Sequence, residues 1–306
     1  MFGLTDIVSI NDFSREAIET VLKTAFEMES LAVSEKKKFL QNKIVASLFF
    51  EPSTRTRLSF ETAAQNLGAR IIGFAEPKNT SFAKGETLSD TIRMVSSYAQ
   101  FIVMRHFLEG ASRRAAEISS LPVINAGDGA NQHPTQTLLD LFTIRKKLGR
   151  LDNLKIAMVG DLKYGRTVHS LALALSKFEN NELFLVAPSS LQMPEEILRQ
   201  LMGKARFHQN EKIEEIIPQA DVLYVTRIQK ERFADQYEYE KVQGVYQITP
   251  KLLEQNRAIG IMHPLPRVNE ISTECDSLPN AWYFEQAKNG IPVREALLYL
   301  LKDVKK

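Results

Sequence analysis

Apolar positions along this chain follow two alternating rhythms. Ile18, Val21, Leu22, Ala25 and Phe26 recur at i, i+3, i+4, i+7 and i+8, the stripe of an amphipathic helix. Ile44–Phe50 is an apolar run of strand length, the pattern of a parallel strand buried on both faces. A polar loop follows, and then a helix is predicted from about Thr56 to Leu67, with Gly68 where a helix terminator would stand. The alternation continues with a strand at Arg70–Phe74, a helix over Thr87–Ala99, a strand at Phe101–Met104 and a helix through Ala115. A strand at Val123–Ala126 and a long helix over Pro134–Leu148 come next. After Gly149-Arg-Leu-Asp-Asn153, a plausible junction, the pattern restarts with strands at Lys155–Val159, Leu183–Ala187, Ala205–His208, Val222–Thr226 and Ile259–Met262. The clearest helix of this second half covers Thr167–Lys177. Strand–helix alternation on this scale predicts an α/β fold of two doubly wound parallel-sheet domains in tandem. In such sheets ligands bind beyond the carboxyl ends of the strands, so the loops there are the places to look for chemistry.

Composition narrows the function. At 306 residues, 44% apolar and 25% charged, the chain has core enough for roughly two domains of ordinary size. Lys plus Arg total 39 against 37 Asp plus Glu, a net charge of +2, which disfavours a protein that coats nucleic acid. No apolar run approaches the roughly 18 residues of a membrane span. The opening Met1-Phe-Gly-Leu-Thr-Asp6 lacks the basic-then-apolar order of a secretory signal, so a cytoplasmic location is expected. The one cysteine, Cys275, can form neither an internal disulfide nor a multi-cysteine zinc site.

The candidate chemistry sits at predicted strand ends. Glu51-Pro-Ser-Thr-Arg-Thr-Arg57 offers hydroxyls and guanidinium groups where a helix begins, a ready anion cradle. It lacks the Gly-Lys-Ser/Thr of a Walker loop. A polar helix cap with solvated arginines would also explain it. Asn79-Thr-Ser-Phe-Ala-Lys-Gly-Glu86 carries Ser81 and Lys84, although a loop of this kind is commonly plain surface. Met104-Arg-His106 ends a buried strand with an arginine, which is costly unless it meets an anion. Asn125-Ala-Gly-Asp-Gly-Ala-Asn-Gln-His-Pro-Thr-Gln136 brings Asn131, Gln132, His133 and Gln136 to a strand-to-helix switch. Val159-Gly-Asp-Leu-Lys-Tyr-Gly-Arg-Thr-Val-His169 has the strand–glycine–loop–helix outline of a dinucleotide site. It lacks the G-x-G-x-x-G spacing, and the next strand ends in Pro188-Ser-Ser rather than an acid for the ribose, which disfavours a dehydrogenase. Arg166 instead suits a carboxylate. Thr226-Arg-Ile-Gln-Lys-Glu-Arg232 places Arg227 and Gln229 on one side of the chain. His263-Pro-Leu-Pro-Arg267 is stiffened by two prolines and favours presenting carbonyls. These loops suit a substrate with several negative charges, handled by orientation and electrostatics rather than covalent catalysis.

In these residues the chain resembles the aspartate and ornithine carbamoyltransferase family. Ser53-Thr-Arg-Thr-Arg57 is that family's phosphate signature, and the resemblance runs from about Val8 to Leu300. The blocks Asn125–Asp140, Gly160–Ser170 and His263–Arg267 look like the aspartate branch, because the ornithine branch has His-Cys-Leu-Pro where His263-Pro264 stands here. A catalytically dead scaffold of the same fold is disfavoured by the intact set of polar residues. The resemblance implies a carbamoyl-phosphate-binding domain over 1–134 with 290–306, a linking helix over 135–149 and an aspartate-binding domain over 150–285. It also implies that the C-terminal helix, about Gly290–Leu301, packs back on the first domain.

The family's roles carry over as expectations. Ser53, Thr54, Arg55, Thr56 and Arg105 would hold the phosphate, with Ser81 and Lys84 lent to the neighbouring subunit of a homotrimer. Thr56, Arg105 and His133 would polarise the carbonyl, while Gln136 and the carbonyls of Pro264 and Leu265 would hold the carbamoyl amide. Arg166, Arg227 and Gln229 would bind the aspartate carboxylates, with Lys84 and Leu265 beside them. Glu51 would pair with Arg166 and Arg232 on domain closure. No cofactor or metal is implied. Two departures stand out. Ser81-Phe-Ala-Lys84 is one residue shorter than in relatives with two lysines, and Phe107 replaces a proline. The latter touches the turn before Glu109-Gly110, where family members can meet a zinc-bearing regulatory chain, a candidate partner here.

Overall fold

A computed structural model of the chain describes residues 2–228, 233, 235–304 and 306. The helices are α1 (Arg15–Ser30), α2 (Val33–Lys36), α3 (Thr54–Asn66), α4 (Leu88–Ser96), α5 (Ala111–Ile118), α6 (Pro134–Leu148), α7 (Arg166–Leu175), α8 (Glu195–Leu201), α9 (Gln236–Val242), α10 (Pro250–Leu253), α11 (Tyr283–Lys288) and α12 (Gly290–Leu300). The strands are β1 (Ile44–Phe49), β2 (Arg70–Phe74), β3 (Phe101–His106), β4 (Val123–Asp128), β5 (Lys155–Val159), β6 (Glu182–Val186), β7 (Arg206–Asn210), β8 (Val222–Val225) and β9 (Gly260–Met262). Two compact units result, Met1–Phe142 with Asn289–Lys306, and Thr143–Lys288, so the boundary falls inside α6.

The first unit is built on a four-stranded sheet in the order β2-β1-β3-β4, with every pair parallel. Residues alternate faces along a strand. Ala46, Leu48, Ile102 and Met104 therefore share a face, where they pack with Ile92 of α4 and with Ala111 and Ala115 of α5. Helix α12 packs on both α1 and α3, so the C-terminal helix does belong to the first unit. A buried ion pair fixes it there. Glu295 of α12 accepts from Lys36 Nζ at 2.7 Å and from Asn66 Nδ2 at 2.7 Å, and Lys36 Nζ also donates to the Met28 carbonyl at 3.0 Å. Both charges are almost fully buried.

The second unit has a five-stranded parallel sheet in the order β7-β6-β5-β8-β9. Ala157, Val159, Phe184, Val186, Leu223 and Val225 form one side of its core. The two doubly wound parallel sheets expected from the strand–helix alternation are thus present. Element ends differ from the sequence reading by one to three residues where caps decide them. Helix α3 starts at Thr54 rather than Thr56, because Ser53 adopts an extended N-cap conformation. Edge strand β7 runs to Asn210, past the end of the apolar pattern, because pairing with β6 continues there. Among the described residues no helix is long and apolar enough to cross a membrane.

Lys36→Met would strand the buried Glu295 carboxylate and should cost about 3–5 kcal/mol, measured by urea unfolding. Lys36→Met with Glu295→Gln removes both charges and keeps an acceptor for Asn66, so most of that loss should return. Equal destabilisation of the two variants would contradict a charge-based clip.

Candidate active site

Both sheets reverse their winding direction once. In the first unit the chain winds from β1 to β2 and then crosses back to β3, so the switch lies between β1 and β3. In the second it winds through β5, β6 and β7 before crossing to β8, placing the switch between β5 and β8. At such points adjacent crossovers depart in opposite directions and leave a crevice at the carboxyl ends.

In the first unit, β1 runs through Phe50 and Glu51 into α3. Ser53 makes no side-chain capping bond, and the first N–H groups of α3 precede its hydrogen-bonded turns. Thr56 is buried, while Thr54 and Arg55 are exposed. Although Arg55 is exposed as a residue, desolvation of its guanidinium sets the pKa below its ordinary value. Phe49 of β1 is the Cα partner of Arg105 on β3, and Phe50 N donates to the Arg105 carbonyl at 2.8 Å. Arg105 is 9% exposed, and its side chain pairs through Nε with Glu51 Oε2 at 3.1 Å and donates from Nη1 to the Ala126 carbonyl at 3.2 Å. The structure therefore brings the phosphate-loop candidates and Arg105 to one switch point.

The β4 exit adds His133 and Gln136. Asp128 organises this loop: its carboxylate accepts from Asn125 Nδ2, Gly110 N, Asn131 Nδ2 and Gln132 N at 2.9–3.1 Å. Asn131 and Gln132 are thus tied into the loop itself. The buried His133 has Thr135 Oγ1 3.4 Å from Nδ1. Gln136 donates from Nε2 to Asp140 Oδ1 at 2.9 Å. A carboxylate only accepts, so the amide is oriented and its Oε1 is left as an acceptor. Behind Asp140 lies the buried Arg294, its guanidinium 4.9 Å from the centre of the Phe60 ring. Burial pushes its pKa down to about 10, with Asp140 opposing the shift. Ser81 and Lys84 are exposed on a 3-10 turn, which Phe82 anchors edge-on against Phe50 at 5.5 Å.

In the second unit, Gly160 follows β5 at φ +113, and a Cβ there would lie 2.4 Å from the Thr226 carbonyl oxygen. Only glycine permits that approach. Thr226 Oγ1 accepts from Asp161 N at 3.0 Å, tying the two switch-point loops together. Arg166 is the first residue of α7 and is half-buried. Arg227 follows β8 and lines a cleft of about 250 Å³ with Gly160, Tyr239, Tyr246 and Glu270. Gln229 and Arg232 lie outside the described residues. After β9, Leu265 has φ +52, a left-handed conformation costing a leucine about 1–2 kcal/mol. Pro264 and Leu265 are partly exposed at this turn, while His263 and Glu270 beneath it are buried. Among the described residues no group of three or more His, Cys, Asp and Glu side chains could hold a metal.

Two family descriptions match the chain. The carbamoyl-P binding domain of aspartate/ornithine carbamoyltransferase covers residues 5–146, and the Asp/Orn binding domain covers residues 152–301. The chain belongs to this carbamoyltransferase family. Among relatives, it is 54% identical to the aspartate carbamoyltransferase catalytic subunit of Methanocaldococcus jannaschii over 95% of this chain and 96% of that one. It is 55% identical to the subunit of Chromobacterium violaceum over 96% and 97%. A solved catalytic subunit from M. jannaschii superposes with a TM-score of 0.91 at 53% identity, covering 97% of this chain and 98% of that one. Aspartate transcarbamoylase from Trypanosoma cruzi, in complex with carbamoyl phosphate and aspartate, gives 0.91 at 39% identity over 96% and 95%.

Within this carbamoyltransferase frame, the sequence reading missed the groups that support the candidates. Asp140 stands one helical turn after Gln136, a spacing that could have pointed to it. Glu270 and Arg294 carry no local signal, because their partners come from other segments. Of His263 only the backbone context was read.

Proposed function

We propose that the chain transfers the carbamoyl group of carbamoyl phosphate to L-aspartate, giving N-carbamoyl-L-aspartate and phosphate, the carbamoyl-transfer step of pyrimidine biosynthesis. The observation that carries this reading is the pair of switch points. One bears hydroxyls, a helix N-terminus and Arg105, and the other bears Arg166 and Arg227, in a chain 54–55% identical to aspartate carbamoyltransferases. The first set suits a phosphate and the second suits two carboxylates.

In this scheme Ser53, Thr54, Arg55, Thr56 and Arg105 hold the phosphate. The dianion competes with Glu51 for the Arg105 guanidinium. That frees Glu51 to act as counter-ion to Arg166 and Arg232 in the closed state the family resemblance implies. Thr56, Arg105 and His133 polarise the carbamoyl carbonyl. A hydroxyl proton from Thr135 on His133 Nδ1 would leave Nε2–H as the donor to the developing oxyanion. Gln136 Oε1 and the carbonyls of Pro264 and Leu265 accept from the carbamoyl amide. Arg166, Arg227 and Gln229 hold aspartate, with Leu265 and a neighbour's Lys84 beside it. The aspartate amine attacks the carbonyl carbon and a tetrahedral intermediate forms. The bond to the phosphate oxygen then breaks, and phosphate leaves with the amine proton. No cofactor enters the scheme. The same reading places the enzyme in the cytoplasm as a homotrimer that shares its active sites, with a zinc-bearing regulatory chain as candidate partner at the turn after β3.

With aspartate and ornithine offered in competition, carbamoyl transfer should go to aspartate. Arg227→Ala should lower kcat/KM for aspartate by roughly ten- to a hundredfold, the loss of one charge-assisted contact of about 1.5–3 kcal/mol, with carbamoyl phosphate binding little changed. Transfer to ornithine, or unaltered aspartate kinetics in the variant, would overturn the assignment.

The exposure of Ser81 and Lys84 supports sharing between subunits, which hybrid complementation tests. Arg55→Ala spoils a chain's own phosphate loop, whereas Lys84→Ala spoils what it lends. Each variant alone should be nearly inactive. Equal mixing should restore about a quarter of full activity, since about three trimers in four are mixed and each mixed trimer has one whole site under cyclic symmetry. No recovery after verified exchange would mean that Lys84 does not serve a neighbour.

A further inference from the structure

The turn after β9 rests on hydrogen bonds centred on the buried His263 and Glu270. His263 Nδ1 accepts from Leu265 N at 2.8 Å, and His263 Nε2 lies 2.7 Å from Glu270 Oε1. Glu270 Oε2 accepts from Val268 N and Asn269 N, each at 3.0 Å. His263 N donates to Gln286 Oε1 at 2.8 Å. His263, Glu270 and Gln286 are 2%, 6% and 1% exposed.

An imidazole–carboxylate couple suggests a general base, but the geometry excludes that use. Nδ1 receives a backbone proton, so in the neutral ring Nε2 carries the hydrogen and gives it to Glu270. Neither nitrogen remains to take a proton from a substrate. The consequence lies in the backbone. Leu265 N–H and Pro264 C=O belong to one planar trans peptide unit and point in opposite directions. An imidazole that holds the N–H on one side therefore aims the Pro264 carbonyl to the other. Glu270 selects the tautomer that can do this. The same residues, Val268, Asn269 and Glu270, wall the cleft that contains Arg227.

We propose that the buried His263–Glu270 pair is the positioning device for the Pro264–Leu265 turn, and that through it the enzyme selects a donor bearing an amide over one bearing a methyl group. This rests on the reading that the turn's carbonyls accept from the carbamoyl amide. A carbonyl oxygen aimed at an NH2 gains a hydrogen bond, and aimed at a methyl it is left unpaired. Acetyl phosphate, which replaces the amide by a methyl of similar size, is the matching probe.

The experiment compares kcat/KM for carbamoyl phosphate and acetyl phosphate, with aspartate as acceptor. In His263→Ala the carbamoyl value should fall on the order of tenfold or more, while the acetyl value moves less than about threefold, so discrimination narrows. His263→Asn supplies an oxygen that can accept from the backbone N–H two residues on, and it should recover much of the discrimination. Should His263→Ala fail to fold, Glu270→Gln carries the same comparison. It leaves one accepting oxygen, which can serve His263 Nε2–H or the two backbone amides but not both, and discrimination should narrow there too. An equal loss with both donors, or His263→Asn no better than His263→Ala in folded protein, would refute the positioning role. Wild-type protein that transfers no carbamoyl group to aspartate would instead overturn the functional reading, and this inference with it.

Discussion

Parallel strand pairing is the constraint on which the rest of this structure depends. A parallel neighbour can be reached only by a crossover, so every strand of a sheet ends on the same edge. On that edge the crossover helices leave a crevice where the winding reverses, between β1 and β3 in one unit and between β5 and β8 in the other. The two units then repeat one device. The first strand of the pair feeds a helix N-terminus, at Ser53–Thr56 above β1 and at Arg166 above β5. The strand across the switch delivers an arginine, Arg105 on β3 and Arg227 just after β8. A helix N-terminus and a guanidinium are both groups that suit an anion.

Placing such groups in partly dry surroundings creates a second requirement, which carboxylates meet. Glu51 neutralises Arg105, Asp140 fixes the amide of Gln136, and Glu270 fixes the imidazole of His263. Each acid accepts hydrogen bonds and donates none, so it fixes the orientation of the side chain it holds. For Glu270, burial pushes the pKa up, but the His263 contact and the backbone amides outweigh it and the net shift is down, so the acid is charged at neutral pH. The loops can therefore be set before a substrate arrives, which is what orientation-based catalysis needs. Buried ionic groups far from these loops have a structural part, as Lys36 and Glu295 show in seating the C-terminal helix.

The sequence made the strands legible wherever both faces are buried, because β1, β3, β5 and β8 then read as apolar runs. It made the candidate site residues legible because strand ends are easy to find and an arginine that ends a buried strand is costly unless it meets an anion. Element ends were less legible: the extended Ser53 starts α3 two residues earlier than the apolar pattern suggests. The supporting carboxylates were least legible. Glu295 meets Lys36 across 259 residues of chain, a proximity that only the packing of α12 creates. Glu270 follows His263 by seven residues, but the chain between them is neither helix nor strand, and it is the turn with Leu265 in a left-handed conformation that brings them together. The resemblance to carbamoyltransferases supplied roles for the loops, while the reasons those loops hold their shape come from the structure.

On the proposed assignment the two switch points divide the anionic groups between them, phosphate to the first unit and carboxylates to the second. A crystal structure with N-(phosphonacetyl)-L-aspartic acid, which carries a phosphonate and two carboxylates on one molecule, tests this most directly. The phosphonate is expected on the N-terminus of α3 with Arg105, no longer paired with Glu51, and the carboxylates on Arg166 and Arg227. A phosphonate held away from the Ser53–Thr56 turn, or carboxylates that leave Arg166 and Arg227 untouched, would contradict it.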